Sequence, residues 1–128
     1  MTEPHERWFY FVDEDLAFAK AGLKSGFYSH VCFLSQQAVE RAMKGYLVFC
    51  RMDYPKTHGL IGLLRQMKVI GLDEYLSEIK KLSEFYVPLR YPDAIPGSLE
   101  KGLPDKEDAQ NALKWANQIV EVIKKHLK

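Results

Sequence analysis

Apolar side chains recur along this chain at three- and four-residue steps and nowhere alternate for long, a pattern that predicts helices and no strands. A first segment, about Glu3 to Lys24, carries Trp8, Val12, Leu16, Ala19 and Leu23 along one side. Ser25-Gly26 stops it, because glycine accepts the left-handed conformation of a helix cap. A second segment, about Phe27 to Arg51, carries Val31, Leu34, Ala38, Ala42, Gly45 and Phe49, and Asp53-Tyr54-Pro55 marks its end. Thr57 offers an N-cap oxygen to a short helix over about His58 to Val69, with Leu60, Leu63, Leu64 and Met67 inward. Gly71 separates this from a fourth helix, about Leu72 to Tyr86, striped by Leu76, Ile79 and Leu82. The last helix opens at Asp105, with Asp108 three residues on as a capping-box partner. It runs through Ala109, Ala112, Leu113, Ala116, Ile119, Val120, Ile123 and Leu127, and Lys124, Lys125 and Lys128 complement its dipole.

Together these segments predict an all-α fold: an up-and-down bundle of four long helices plus one short helix, forming a single domain over residues 1–128. Between the last two helices, about 87–104, lie Pro88, Pro92, Pro96 and Pro104 with Gly97 and Gly102. Four prolines exclude a regular helix there, and a connection this long inside a compact domain is usually functional or mobile. The half LRYPDAIP is read as functional and the remainder as mobile.

Composition narrows the function classes. The chain is 47% hydrophobic and 27% charged, which suits a globular protein and not a disordered one. Its 18 basic and 17 acidic side chains nearly cancel, which argues against a strongly electrostatic nucleic-acid binder but leaves room for a local basic patch. No apolar run approaches a membrane span and the N-terminus carries no cleavage-site pattern, so a soluble cytoplasmic protein without a membrane partner is expected. Cys32 and Cys50 sit in apolar helical sequence without ligand spacing, and are read as small buried hydrophobes in a reducing compartment. His5, His30, His58 and His126 are scattered, and no GxGxxG, Walker loop, HExxH or GxSxG occurs. No metal and no cofactor is expected.

Two helices break their own amphipathic pattern. With successive residues about 100° apart, Phe33, Gln37, Glu40, Lys44, Leu47 and Arg51 fall opposite the core stripe of the second helix. A solvated face would rarely hold Phe33 and Leu47, so Gln37, Glu40 and Lys44 are placed in a partly covered groove. The simpler reading makes Glu40 and Lys44 an i,i+4 ion pair. On the first helix Phe11 and Phe18 form a second aromatic seam, which requires either the short third helix or a second copy of the protein to cover it. Counting Phe11, Phe18, Phe33 and Leu47 as surplus apolar surface predicts a symmetric homodimer or an oligomer of dimers.

The residues also resemble a known family. Trp8, Val12, Asp15, Leu16 and Ala19 look like the opening helix of the HEPN (higher eukaryotes and prokaryotes nucleotide-binding) domain. Gln36-Gln37-Ala38-Val39-Glu40-Arg41-Ala42-Met43-Lys44-Gly45-Tyr46-Leu47 resembles the QQAxEkxxKaxL core of its second helix. Thr57-His58-Gly59-Leu60 is similar to the turn that opens its next helix, and Tyr86-Val87-Pro88-Leu89-Arg90-Tyr91-Pro92 to its RYP element. The resemblance implies a helical bundle that commonly dimerises, with a link to nucleotides and often to a minimal nucleotidyltransferase, separate or fused. Many relatives are metal-independent ribonucleases carrying Arg, four to six residues, then His. Arg90 is followed at those positions by Ile95, Pro96 and Gly97, whereas Arg51 and His58 satisfy the spacing.

Two functions from different classes follow. The first is a non-catalytic nucleotide- or RNA-binding and assembly module, acting beside a separate nucleotidyltransferase in a toxin-antitoxin-like system. In it Lys44 and Arg90 contact phosphate, Gln37 and Glu40 make hydrogen bonds, and Tyr91 stacks on a base. The alternative is a ribonuclease toxin with His58 as general acid-base and Arg51 stabilising the developing charge.

Overall fold

The structure, a computed structural model, describes residues 3–56, 59–69, 71–85 and 102–127. Among these it is wholly helical: α1 (Pro4–Lys24), α2 (Tyr28–Phe49), α3 (Leu60–Gln66), a 3₁₀ turn (Leu72–Tyr75), α4 (Leu76–Ser83) and α5 (Lys106–Lys124). The helix ends follow from local chemistry. Pro4 starts α1, where a missing N–H is harmless, and the Glu3 backbone N–H donates to Glu6 Oε1 at 3.3 Å. At α5 the capping box is complete: the Asp108 N–H donates to Asp105 Oδ1 at 2.9 Å, and the Asp105 N–H to Asp108 Oδ2 at 3.0 Å.

After α1 the chain turns through Gly26 at φ 82°, with the Phe27 N–H bonded to the Gly22 carbonyl. This sharp reversal lays α2 antiparallel on α1, with Gly22 facing Val31 at one end and Gly45 facing Trp8 and Phe9 at the other. Helix α5 packs on α2 and more lightly on α1, while α3 and α4 cover another side of α2 and the 3₁₀ turn packs on α4 and α5. Helix α2 is therefore the central element, and twelve of its residues are buried. Val12, Ala19, Val31, Ala38, Met43, Leu47, Leu60, Leu63, Ile79, Leu82, Ala112, Ile119 and Ile123 form one continuous core.

Several local expectations change. The third helix is confined to Leu60–Gln66, with Gly59 at its cap. The fourth segment opens as a 3₁₀ turn, which rotates its face so that Leu72, Ile79 and Leu82 are buried and Leu76 is exposed. Leu47, expected as surplus on an outer face, is fully buried: α2 is packed on more sides than one stripe allows, and Leu47 lies in the common core. Cys32 is buried and its thiol is pushed up to about 12 by desolvation, but Cys50 is exposed because it caps the end of α2. The proline-rich connection and Thr57 lie largely outside the described residues. No described helix is long and apolar enough to cross a membrane.

Candidate binding surface on the first two helices

The closeness of α1 and α2 sets the geometry of the surface. A Cβ added at Gly45 would lie 2.8 Å from Trp8 Cβ and 2.8 Å from the Phe9 ring, so only glycine lets the backbone of α2 approach α1 here. That contact holds Trp8 on the seam between the helices, where its ring meets Tyr54 edge-on at 5.1 Å. Tyr54 in turn lies against the Lys44 ammonium, 5.7 Å from Nζ to the ring centre.

Two ion pairs run along the seam. Lys44 Nζ donates to Glu40 Oε2 at 3.0 Å, and Gln36 Nε2 donates to Glu40 Oε1 at 3.3 Å. Glu40 and Lys44 are each only 7% exposed. The pair is therefore an i,i+4 salt bridge, as the simpler sequence reading has it, and it is covered. The second pair crosses the helices. Arg41 Nη1 donates to both carboxylate oxygens of Asp15, at 3.0 and 2.9 Å. Burial raises the Asp15 pKa above the ordinary carboxylate value, and the Arg41 charge and hydrogen bonds offset only part of that, helped by a bond from Gln37. The Arg41 guanidinium also lies over the Phe11 ring at 5.6 Å. Beside it a pocket of about 260 Å³ opens between Arg7, Trp8, Phe11 and Arg41.

Gln37, Glu40 and Lys44 thus lie on one stretch of α2. Arg90, Tyr91 and His58 fall outside the described residues. Arg51 is exposed at the end of α2, where it alone among the described non-glycine residues has positive φ, 59°. The Met52 N–H reaches the Leu47 carbonyl and the Arg51 N–H the Val48 carbonyl, both at 2.9 Å. This Schellman closure normally takes glycine at the position Arg51 occupies. Phe11 and Phe18 are exposed, and α3 packs on α2 and α4 instead of on their seam. Among the described residues no group of three or more His, Cys, Asp or Glu is placed to share a metal ion.

Sequence reasoning missed Asp15 and Arg41 as partners, and did not single out Arg7. A signal was present: Asp15 stands three residues after Val12 and four before Ala19, at the edge of a core stripe where a carboxylate needs a partner.

The HEPN domain family profile matches residues 5–127, almost the whole chain. The chain belongs to the HEPN domain family. A curated relative named "Putative toxin MJ1304", from Methanocaldococcus jannaschii, is 35% identical over 91% of this chain and 84% of its own length. Among solved structures, TT1696 from Thermus thermophilus superposes with a TM-score of 0.83 at 27% identity, covering 97% of this chain and 98% of that one. ST0689, described as an archaeal HEPN homologue, gives a TM-score of 0.78 at 29% identity over the full length of both chains.

Proposed function

We propose that this HEPN chain is a non-catalytic nucleotide- or RNA-binding and assembly module. It acts as a homodimer beside a minimal nucleotidyltransferase carried on a separate protein, in a toxin-antitoxin-like pair. The observation that carries the reading is the polar seam itself. Burying Glu40, Lys44 and Asp15 in a small helical domain is costly, and apolar residues of like size would fill the space with less desolvation. A polar lining retained there suits recognition of a polar ligand. Lys44 is neutralised by Glu40, so the surplus positive charge for a phosphate comes from Arg90, with Tyr91 stacking on a base and Gln37 adding a hydrogen bond. The test is a calorimetric titration of wild type and Arg90→Ala with nucleotides and short RNA. Weaker binding at unchanged melting temperature supports the module; a lowered melting temperature with no binding by wild type refutes it.

The second reading, a metal-independent ribonuclease toxin, draws on the toxin name of the relative and on Arg51. A non-glycine residue in the left-handed region costs about 1–2 kcal/mol, and such strain concentrates at functional sites. The module reading expects no cleavage of single-stranded RNA by the isolated protein. Cleavage abolished by both Arg51→Ala and His58→Ala would establish the ribonuclease instead.

A further inference from the structure

The pocket of about 260 Å³ on the seam of α1 and α2 is lined by two kinds of side chain, the guanidiniums of Arg7 and Arg41 and the rings of Trp8 and Phe11. Arg7 and Phe11, four residues apart, share one side of α1, and Arg41 reaches across from α2.

Three of these four walls are fixed before anything binds. Trp8 is held by the close approach of α2 at Gly45 and by its edge-on contact with Tyr54. Arg41 is tied to Asp15 through Nη1 alone, and its guanidinium lies over the Phe11 ring. Its Nε and Nη2 therefore keep their donors free among the described residues. Arg7 is exposed and has neither an ion pair nor a hydrogen bond with any described residue. A site already shaped in this way loses little ordering entropy when a ligand enters.

Charge decides the polar end of that ligand. Asp15 neutralises Arg41 and Glu40 neutralises Lys44, so Arg7 is the surplus cation of the pocket. Two guanidiniums on different helices, both with donors to spare, call for an oxyanion that can be gripped from two sides. A carboxylate has two oxygens in one plane and is satisfied by one fork; a terminal phosphate presents three oxygens and can bridge both. The rings decide the other end. Trp8 and Phe11 line the pocket with apolar surface that inorganic phosphate would leave uncovered, so the anion carries a body of its own. Drug-sized ligands occupy sites of roughly 300–1,000 Å³, so this pocket is matched to one nucleotide and not to a stretch of chain. We propose that the pocket holds a single nucleotide, its terminal phosphate bridging Arg7 and Arg41 and its base against Trp8 and Phe11. The inference rests on the nucleotide- or RNA-binding reading above and adds to it a site outside the residues given there. A free nucleoside 5′-monophosphate and the 5′-phosphorylated end of an RNA present the same chemistry; an internal phosphate, esterified on both sides, does not.

Calorimetric titration of the full chain with the four ribonucleoside 5′-monophosphates, one at a time, tests this, with circular dichroism as the control for folding. Trp8 is a second reporter: in a Trp115→Phe background it is the sole tryptophan, and its emission is expected to change on binding. Arg7→Ala, at an exposed position without a described partner, is expected to keep its melting temperature and weaken binding about tenfold to a hundredfold, the scale of a lost hydrogen bond to a charged group. The matching nucleoside, lacking the phosphate, is expected to bind as weakly. Short RNAs with a 5′-phosphate or a 5′-hydroxyl distinguish the sources: tighter binding of the 5′-phosphorylated RNA than of the mononucleotide assigns the pocket to RNA ends, and weaker binding assigns it to free nucleotide. Equal binding of the two RNAs, or a nucleoside as tight as its monophosphate, overturns the terminal-phosphate site. Nucleotide binding lost in Arg90→Ala but not in Arg7→Ala overturns the pocket and leaves the reading above standing. Loss in Arg7→Ala alone supports the pocket and removes the role given to Arg90. No binding of nucleotide or RNA by wild type sinks both.

Discussion

Replacing Lys44 with methionine is expected to cost about 3–5 kcal/mol of stability, the usual consequence of removing one member of a buried ion pair. The Lys44–Glu40 separation is 3.0 Å and both side chains are 9% exposed. At an effective dielectric of about 20, unit charges at that distance attract by roughly 5 kcal/mol, balanced in the native protein against the cost of desolvating both. Lys44→Met removes the attraction and leaves the Glu40 carboxylate desolvated, still bonded to Gln36 but with no lysine beside it. It also removes the ammonium from the Tyr54 ring. Domains of this size are stable by only about 5–15 kcal/mol, so the variant should be marginal. The double variant Glu40→Met/Lys44→Met should instead lie within about 1 kcal/mol of wild type or exceed it, because two good helix formers of similar volume replace both charges. Urea denaturation followed by circular dichroism measures the four corners of the cycle. A Lys44→Met cost below about 1 kcal/mol, the value of a solvated surface pair, would refute the claim that this pair is structurally buried.

Three further outcomes follow from the same geometry. Gly45→Ala gains about 1 kcal/mol of helix propensity but forces a methyl against Trp8 Cβ and the Phe9 ring, so a net loss of about 1–2 kcal/mol is expected in denaturant titration; net stabilisation would mean the helices part easily. Arg51→Gly should raise stability by roughly 1 kcal/mol, since glycine relieves the positive φ at some entropic cost in the unfolded chain; a fall in melting temperature would show that the arginine side chain holds the turn. Asp15 holds its proton more tightly folded than unfolded, so its protonation favours the native state at low pH, and that advantage is lost as pH rises through the raised pKa. Wild type should therefore lose stability relative to Asp15→Asn as pH climbs from below 3.8 toward neutrality, and parallel pH profiles would contradict the shift.

Local sequence was enough to set the helical class, the limits of α1, α2 and α5, and the signals that end them. These depend on contacts within a few residues: apolar spacing, the Asp105 and Asp108 box, the left-handed glycine at Gly26. It also indicated that Glu40 and Lys44 are covered, because a helix apolar on nearly every side has no solvated face to give them. Which apolar residues are surplus was a different matter. Phe18 and Leu47 looked alike along the chain, yet one is 68% exposed and the other fully buried, because the packing of α3, α4 and α5 around α2 decides it. The Asp15–Arg41 pair was equally hidden: its members stand 26 residues apart, and only the antiparallel approach of α1 and α2 at Gly45 and Gly22 brings them to 2.9 Å. Periodicity tells a residue which side of its own helix it occupies. What stands on that side is a property of the other helices, and it was settled only when the bundle closed.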